Sequence, residues 1–291
     1  MTYDPATTDP AAFDDQRCRE IVSHALGLPS TRFELTGKRP WQMGGWLADS
    51  YRAGRVFLLG DAAHVTPPTG GFGANTGIQD AWNLTTKLVS VLRGHADPGL
   101  LADYEPERRT VGRITVEQAL LRARDRAQVP IEDRPLLSEA AVAIGYRYAM
   151  PRDDVAADST LADEPDRWRG EPGTRLPHLP FAGPKGLRST LDLVRDGRYL
   201  LLAGPQGHTW TQAARELDPQ GALLDTALLP AKITSLSVWP TEACGIGDRG
   251  ALLVRPDHVI AWRTAHAVPD ALTVLAAATR QAQGLDRPAT P

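Results

Sequence analysis

Residues 54–83 read GRVFLLGDAAHVTPPTGGFGANTGIQDAWN. Arg55 to Gly60 is a short apolar run with turn signals on both sides, the pattern of a buried strand. Gly60 and Asp61 then place a carboxylate just beyond the strand. A glycine- and proline-rich loop follows, and a helix rises from it. Ile78, Ala81, Leu84, Leu88, Val91 and Leu92 fall on one helical face, and Gly94 ends the helix. Strand, acidic residue, glycine-rich loop and helix, in that order, indicate an α/β chain.

Upstream, residues 15–27 place Cys18, Ile21, Val22, Ala25 and Leu26 at helical spacing before Gly27. Residues 32–54 carry aromatic, strand-like pieces, with Trp41, Met43 and Trp46 open either to core packing or to an aromatic pocket. Downstream, 98–128 reads as one helix or a pair. Residues 151–179 hold acidic residues and prolines and read as a linker between a first lobe, 1–150, and a second, 180–291. The second lobe has its own rhythm: strand 198–204, helix 209–218, strand 232–239, a hairpin around Pro256-Asp257 and a helix to about Gln283. No internal repeat or low-complexity segment occurs.

Composition narrows the function. The chain has 291 residues, with 32 Lys+Arg against 35 Asp+Glu. No basic excess exists to neutralise a phosphate backbone, which argues against nucleic-acid binding. Cys18 and Cys244 lie far apart, in no CxxC or Cys/His cluster, so no disulfide framework or metal site is expected and a reducing cytoplasm fits. No apolar run approaches bilayer length, and the polar, acidic first ten residues do not read as a signal peptide.

The chemistry is concentrated in the opening stretch. Asp61 is placed to accept hydrogen bonds from a ribose or ribityl hydroxyl. Gly70, Gly71, Gly73 and Gly77 let backbone approach a flat ligand, and the amides opening the helix favour an anionic oxygen. A flavin needs all three. On spacing alone, a ligand site and an ordinary strand-to-helix turn remain equally open.

The whole string, with LLADYEPERRTVG at 100–112, EPGTRLPHLP at 171–180, LRSTLDLV at 187–194 and GALLVRPDHVIAWR at 250–263, closely resembles the class A FAD-dependent aromatic hydroxylases. These are the p-hydroxybenzoate-hydroxylase-like enzymes, and the likeness is to their polyketide branch. The resemblance implies an incomplete FAD-binding and substrate lobe of that fold plus a thioredoxin-like C-terminal domain. It implies FAD as cofactor, NADPH as reductant and a small aromatic, polyketide-like substrate. Asp61, after Gly60, would bind the FAD ribose. Pro67, Pro68, Gly70, Gly71, Gly73, Ala74 and Asn75 would line the isoalloxazine, with Asn75 and adjoining amides at its pyrimidine edge.

A complete member of the family also has an N-terminal GxGxxG strand–loop–helix and a later Asp-Gly motif. The 70–77 cluster is read as the sole glycine cluster here, so the likeness is to the C-terminal half. Whether FAD binds this chain alone is therefore open. The first lobe is expected to form a homodimer or to pair with a separate N-terminal-half chain. The alternative is a flavin-free remnant acting as cyclase, isomerase or scaffold.

No catalytic side chain is assigned, because in this chemistry the flavin carries the oxygen. His64, three residues after Asp61, is expected to be structural or close to the flavin. The other histidines show no metal spacing. Trp82 is expected to pack in the core, and Glu105, Glu107, Arg108 and Arg109 to form an ion-pair set on a helix surface. Lacking CxxC, residues 180–291 are expected to act as a packing or dimer-stabilising module rather than a redox domain.

Overall fold

The computed structural model describes residues 7–29, 32–39, 43–131, 135–149, 161–183, 186–230 and 240–286. By Cα packing the chain divides into Met1–Met43 and Gly44–Pro291. The first unit holds helix α1, Asp15–Leu26, opened by the Asp14 carboxylate accepting from Arg17 N and closed by Gly27 at φ +63°. The left-handed angle is why glycine stops this helix. Trp41 lies outside the described residues.

In the second unit, β1 (Trp46–Leu47) pairs antiparallel with β4 (His64–Val65), and β2 (Arg52–Ala53) pairs antiparallel with β3 (Val56–Phe57). The expected buried strand at 55–60 is thus reduced to two paired residues, and Val56 is 63% exposed. One side of this segment packs on the Tyr51, Leu84 and Tyr104 cluster. Among the described residues no parallel strand lies beside it.

Helix α2 spans Phe72–Leu92, α3 spans Tyr104–Arg126 and α4 spans Glu139–Ile144. The expected apolar face of α2 is buried only in part: Leu84 and Leu88 pack on the Tyr51 and Tyr104 cluster. Ile78 is 68% exposed and Leu92 is exposed, whereas Thr76, Asp80, Asn83, Lys87 and Ser90 are buried with Leu84. These polar positions also recur every three or four residues, and they face partners that satisfy them.

The C-terminal sheet follows a β5–β6 hairpin of Pro180–Gly183 and Gly186–Ser189. Its central strand β7, Tyr199–Ala203, is buried throughout and leads into α5, His208–Leu217. The parallel neighbour of β7 is β8, Leu224–Leu228. The strand expected at 232–239 lies outside the described residues. After the short helix α6 (Pro240–Ala243), β9 (Ala251–Val254) and β10 (Ile260–Thr264) form the expected hairpin, and α7 (Ala271–Ala282) closes the chain. Strand order is β10-β9-β7-β8. Leu200, Leu202, Leu252 and Val254 pack on one face with Leu176 and Leu179. Leu201, Ala203 and Leu253 pack on the other with Trp210 and Leu275. Both faces are covered, which explains the unbroken apolar reading of β7 and β9.

Candidate functional site

The glycine-rich stretch folds as two backbone devices. At the first, Gly60 opens a single 3-10 turn, Gly60–Ala62, at φ +56°. Helix α2 crosses it so closely that a Cβ on Gly77 would lie 3.0 Å from Gly60 Cα. Two glycines allow this backbone-to-backbone approach, and the Asp80 carboxylate fastens it by accepting from Gly60 N at 3.1 Å. At the second, Gly70 (φ +92°) and Gly71 (φ +67°) turn the chain into α2. A Cβ on Gly70 would strike the Phe72 ring, and one on Gly73 would lie 2.7 Å from Thr66 Oγ1. A Cβ on Gly71, by contrast, would meet nothing within 4 Å.

The helix N-terminus at Gly71 has no side-chain cap. Its first amides therefore carry their partial positive charge without a capping side chain. Pro67 is buried, while Pro68, Ala74 and Asn75 are exposed; Asn75 Nδ2 donates to Gly71 O at 3.3 Å. Asp61 is exposed on the Gly60 turn and makes no ion pair or hydrogen bond among the described residues. An open cradle, uncapped amides and an unengaged carboxylate suit a flat, anionic, hydroxyl-bearing group such as FAD.

His64 does not pair with Asp61. It is buried, and its Nε2 lies 2.7 Å from Asp80 Oδ2. Asp80 Oδ1 accepts from Arg108 Nε at 2.7 Å, and Arg108 also donates to Tyr148 Oη at 2.9 Å and Thr76 O at 3.2 Å. Burial alone would raise the Asp80 pKa, but the bonds from His64 and Arg108 outweigh it and hold the carboxyl below its usual value.

A second buried network lies further along the same helices. Lys87 Nζ donates to Glu107 Oε2 at 2.6 Å and to Asn83 Oδ1 at 2.7 Å. Arg255, from the β9–β10 turn, grips Glu107 with both terminal nitrogens and Asp257 through Nε at 3.0 Å. Burial, with Arg255 adding, pushes the Lys87 pKa down. Burial opposes ionisation of Glu107, yet Arg255 and Lys87 hold its pKa well below the carboxylate range.

The expected surface ion-pair set at 105–109 is therefore corrected. Glu107 and Arg108 are buried in the two networks. Glu105 accepts from Tyr51 N at 2.8 Å, Arg52 N at 3.0 Å and Ser50 Oγ at 2.6 Å. Arg109 Nε donates to Ala48 O at 3.0 Å, and Tyr104 Oη donates to Leu58 O at 2.7 Å. Each residue of the Tyr-Glu-x-Glu-Arg-Arg run thus ties α3 to the strand, loop or helix beside it. Polar residues placed three or four apart on α2, Thr76, Asp80, Asn83 and Lys87, carried the signal for this, hidden by an apolar stripe of the same period. Trp82 is likewise not in the core: it is 50% exposed and stacks on His258 at 6.2 Å.

Two sequence patterns require correction. Gly245, Gly247 and Gly250 do spell GxGxxG, but they follow α6 and precede β9. A pyrophosphate loop needs the reverse order, a strand before and a helix after. Asp196-Gly197 is an Asp-Gly pair, but both residues have φ near +60 to +70° in the turn that feeds β7, which is ordinary turn chemistry.

Fold and loop geometry together define a flavoprotein-type strand–loop–helix unit joined to a second α/β sheet. Residues 1–119 match the FAD binding domain family, and residues 154–285 match the aromatic-ring hydroxylase C-terminal family. The chain belongs to the FAD-dependent aromatic-ring hydroxylases. It is 43% identical over 268 residues to tetracenomycin B2 monooxygenase-dioxygenase of Streptomyces olivaceus, covering 91% of this chain and 49% of that one. It is 40% identical over 282 residues to 4-methyl-5-nitrocatechol 5-monooxygenase of a Burkholderia species, covering 93% and 51%. The crystal structure of aklavinone-11 hydroxylase with FAD and aklavinone superposes with a TM-score of 0.86 at 36% identity, covering 97% of this chain and 54% of that one. The chain thus spans about half the length of the curated relatives it matches.

Proposed function

We propose that the chain forms the second flavin-contacting part and the C-terminal domain of an FAD- and NADPH-dependent monooxygenase that hydroxylates a small aromatic, polyketide-like substrate. In this reading 1–150 is the partial FAD and substrate lobe, 151–179 the linker and 180–291 a thioredoxin-like domain. The observation that carries it is the open face at Asp61 and Gly71–Asn75, in a chain of the hydroxylase family. FAD supplies the oxygen chemistry when bound, with NADPH as its reductant. Asp61 would take a ribose hydroxyl, and Gly70 to Asn75 would hold the ring through backbone. The α2 amides would meet its pyrimidine edge, while Asp80 and Arg108 hold loop and helix in register. The pyrophosphate anchor would come from a GxGxxG unit on an N-terminal-half chain, while a homodimer would close the open strand edge without supplying that unit.

The test is FAD titration of wild type and Asp61→Ala, alone and with a GxGxxG half added. A charge-assisted hydrogen bond of ~1.5–3 kcal/mol predicts roughly 10- to 150-fold weaker binding in the variant. Its melting temperature should not move, because Asp61 holds no backbone amide. Equal affinities would remove Asp61 from the site, and no binding in any mixture would favour the flavin-free alternative.

A further inference from the structure

A cleft of about 520 Å³ opens between α2, the Tyr146–Tyr148 segment and the β9–β10 turn, and none of Gly60 to Asn75 lines it. Its size falls in the ~300–1,000 Å³ range of small-molecule sites. Two ring pairs form its walls. Trp82 and His258 stack at 6.2 Å and 20°, and Tyr146 and Tyr148 stack at 5.2 Å and 29°. A half-exposed tryptophan held flat against a histidine offers an apolar face that packing within the chain does not use.

The charges along the cleft are unequal. Asp257 is neutralised by Arg255 and accepts from Asn83 Nδ2 at 3.1 Å. Arg108 and Arg255 lie over the Tyr146 and Tyr148 rings at 5.3 and 5.7 Å, but both are committed to buried carboxylates. Arg175 remains: its backbone bridges to Val259, while its guanidinium has no ion-pair or hydrogen-bond partner among the described residues.

His258 adds direction. Its backbone φ is +67°, in the left-handed region that residues with a Cβ seldom adopt. Its Nε2 donates to Leu191 O at 3.2 Å, leaving Nδ1 as an acceptor. Burial first, against the Leu191 bond and with the Arg175 charge adding, lowers the imidazole pKa from its usual value. A neighbouring cleft of about 320 Å³ shares Ile144 and Arg175, extending the space past the cation.

We propose that this cleft binds a planar aromatic anion, its rings against the Trp82–His258 and Tyr146–Tyr148 pairs and its carboxylate or phenolate at Arg175. A ring hydroxyl donates to His258 Nδ1. The site does not depend on the flavin reading.

The test uses anthraquinone-2-carboxylate and its neutral carboxamide, titrated calorimetrically into residues 1–291 with and without FAD. Wild type should prefer the carboxylate by about tenfold. Arg175→Gln should abolish the preference and Arg175→Lys should keep it. Trp82→Ala should weaken both probes by about 2- to 12-fold. Circular dichroism and melting temperature identify any variant that fails to fold, and the Lys variant then carries the charge test. Absent binding, equal affinity of the two probes for wild type, or binding that ignores both Arg175→Gln and Trp82→Ala would overturn the proposal. So would competition with FAD, which would put the probe on the flavin-motif face instead.

Discussion

Arg108 shows how much of this protein rests on single side chains. It is fully buried, and its charge is answered by Asp80, Tyr148 and a helix carbonyl. Arg108→Leu leaves Asp80 buried with only His64 as a polar side-chain partner. The expected loss is about 3–5 kcal/mol, read by chemical denaturation. The same carboxylate predicts acid behaviour. Its folded pKa is depressed, so its contribution to stability is present above the usual aspartate value of 3.8 and is lost as pH falls through and below it. Glu107, depressed from 4.5, acts in the same direction. The melting temperature of wild type should therefore drop below about pH 4. Asp80→Asn should be less stable at pH 7 and show a shallower fall in acid, and an unchanged slope would remove Asp80 from the acid transition.

Among the elements, α2 and α3 matter most, because their contact is polar where helix pairs are usually apolar. Asp80, Asn83 and Lys87 on α2 meet Glu107 and Arg108 on α3, and Arg255 and Asp257 from the C-terminal hairpin complete the lattice. The lattice fixes register, since a slip of one residue would leave several buried charges unpaired. The helix also passes the β-strands tightly. A Cβ on Gly112 of α3 would strike Tyr51 Oη, a buried hydroxyl with no hydrogen-bond partner among the described residues. Gly112→Ala should cost about 1–3 kcal/mol by overpacking. Tyr51→Phe should be neutral or stabilising, and the double variant should recover most of the loss. Thermal melts of the set check this; an additive double variant would place the strain elsewhere.

In the whole molecule the burial is lopsided. The C-terminal sheet is covered on both faces, while the segment leading to the flavin motif exposes Val56 and Leu59. Apolar residues beside an unpaired strand edge favour association with another sheet. Sedimentation should therefore show self-association, or binding to a GxGxxG half. Val56→Lys with Leu59→Lys should weaken that association without lowering the melting temperature. A wild type that stays monomeric and ignores the added half would refute the pairing.

The local order of strand, Asp61, glycine loop and helix is determined by short-range chemistry: apolar runs, turn residues and glycines at left-handed angles. It could be read directly from residues 54–83. So could α1, the β9–β10 hairpin and the closing helix, because their caps and turns lie within a few residues of one another. The tertiary structure decided which face of α2 is buried, since apolar Ile78 and polar Asp80 differ only in what lies opposite them. It also decided that Glu107 and Arg108 are interior and that β8, at 224–228, is the parallel neighbour of β7. Asp80 reaches Gly60 across 20 residues, and Arg255 reaches Glu107 across 148. A buried charge is tolerable only beside its partner, and sequence spacing does not say which residues separated by such distances will meet.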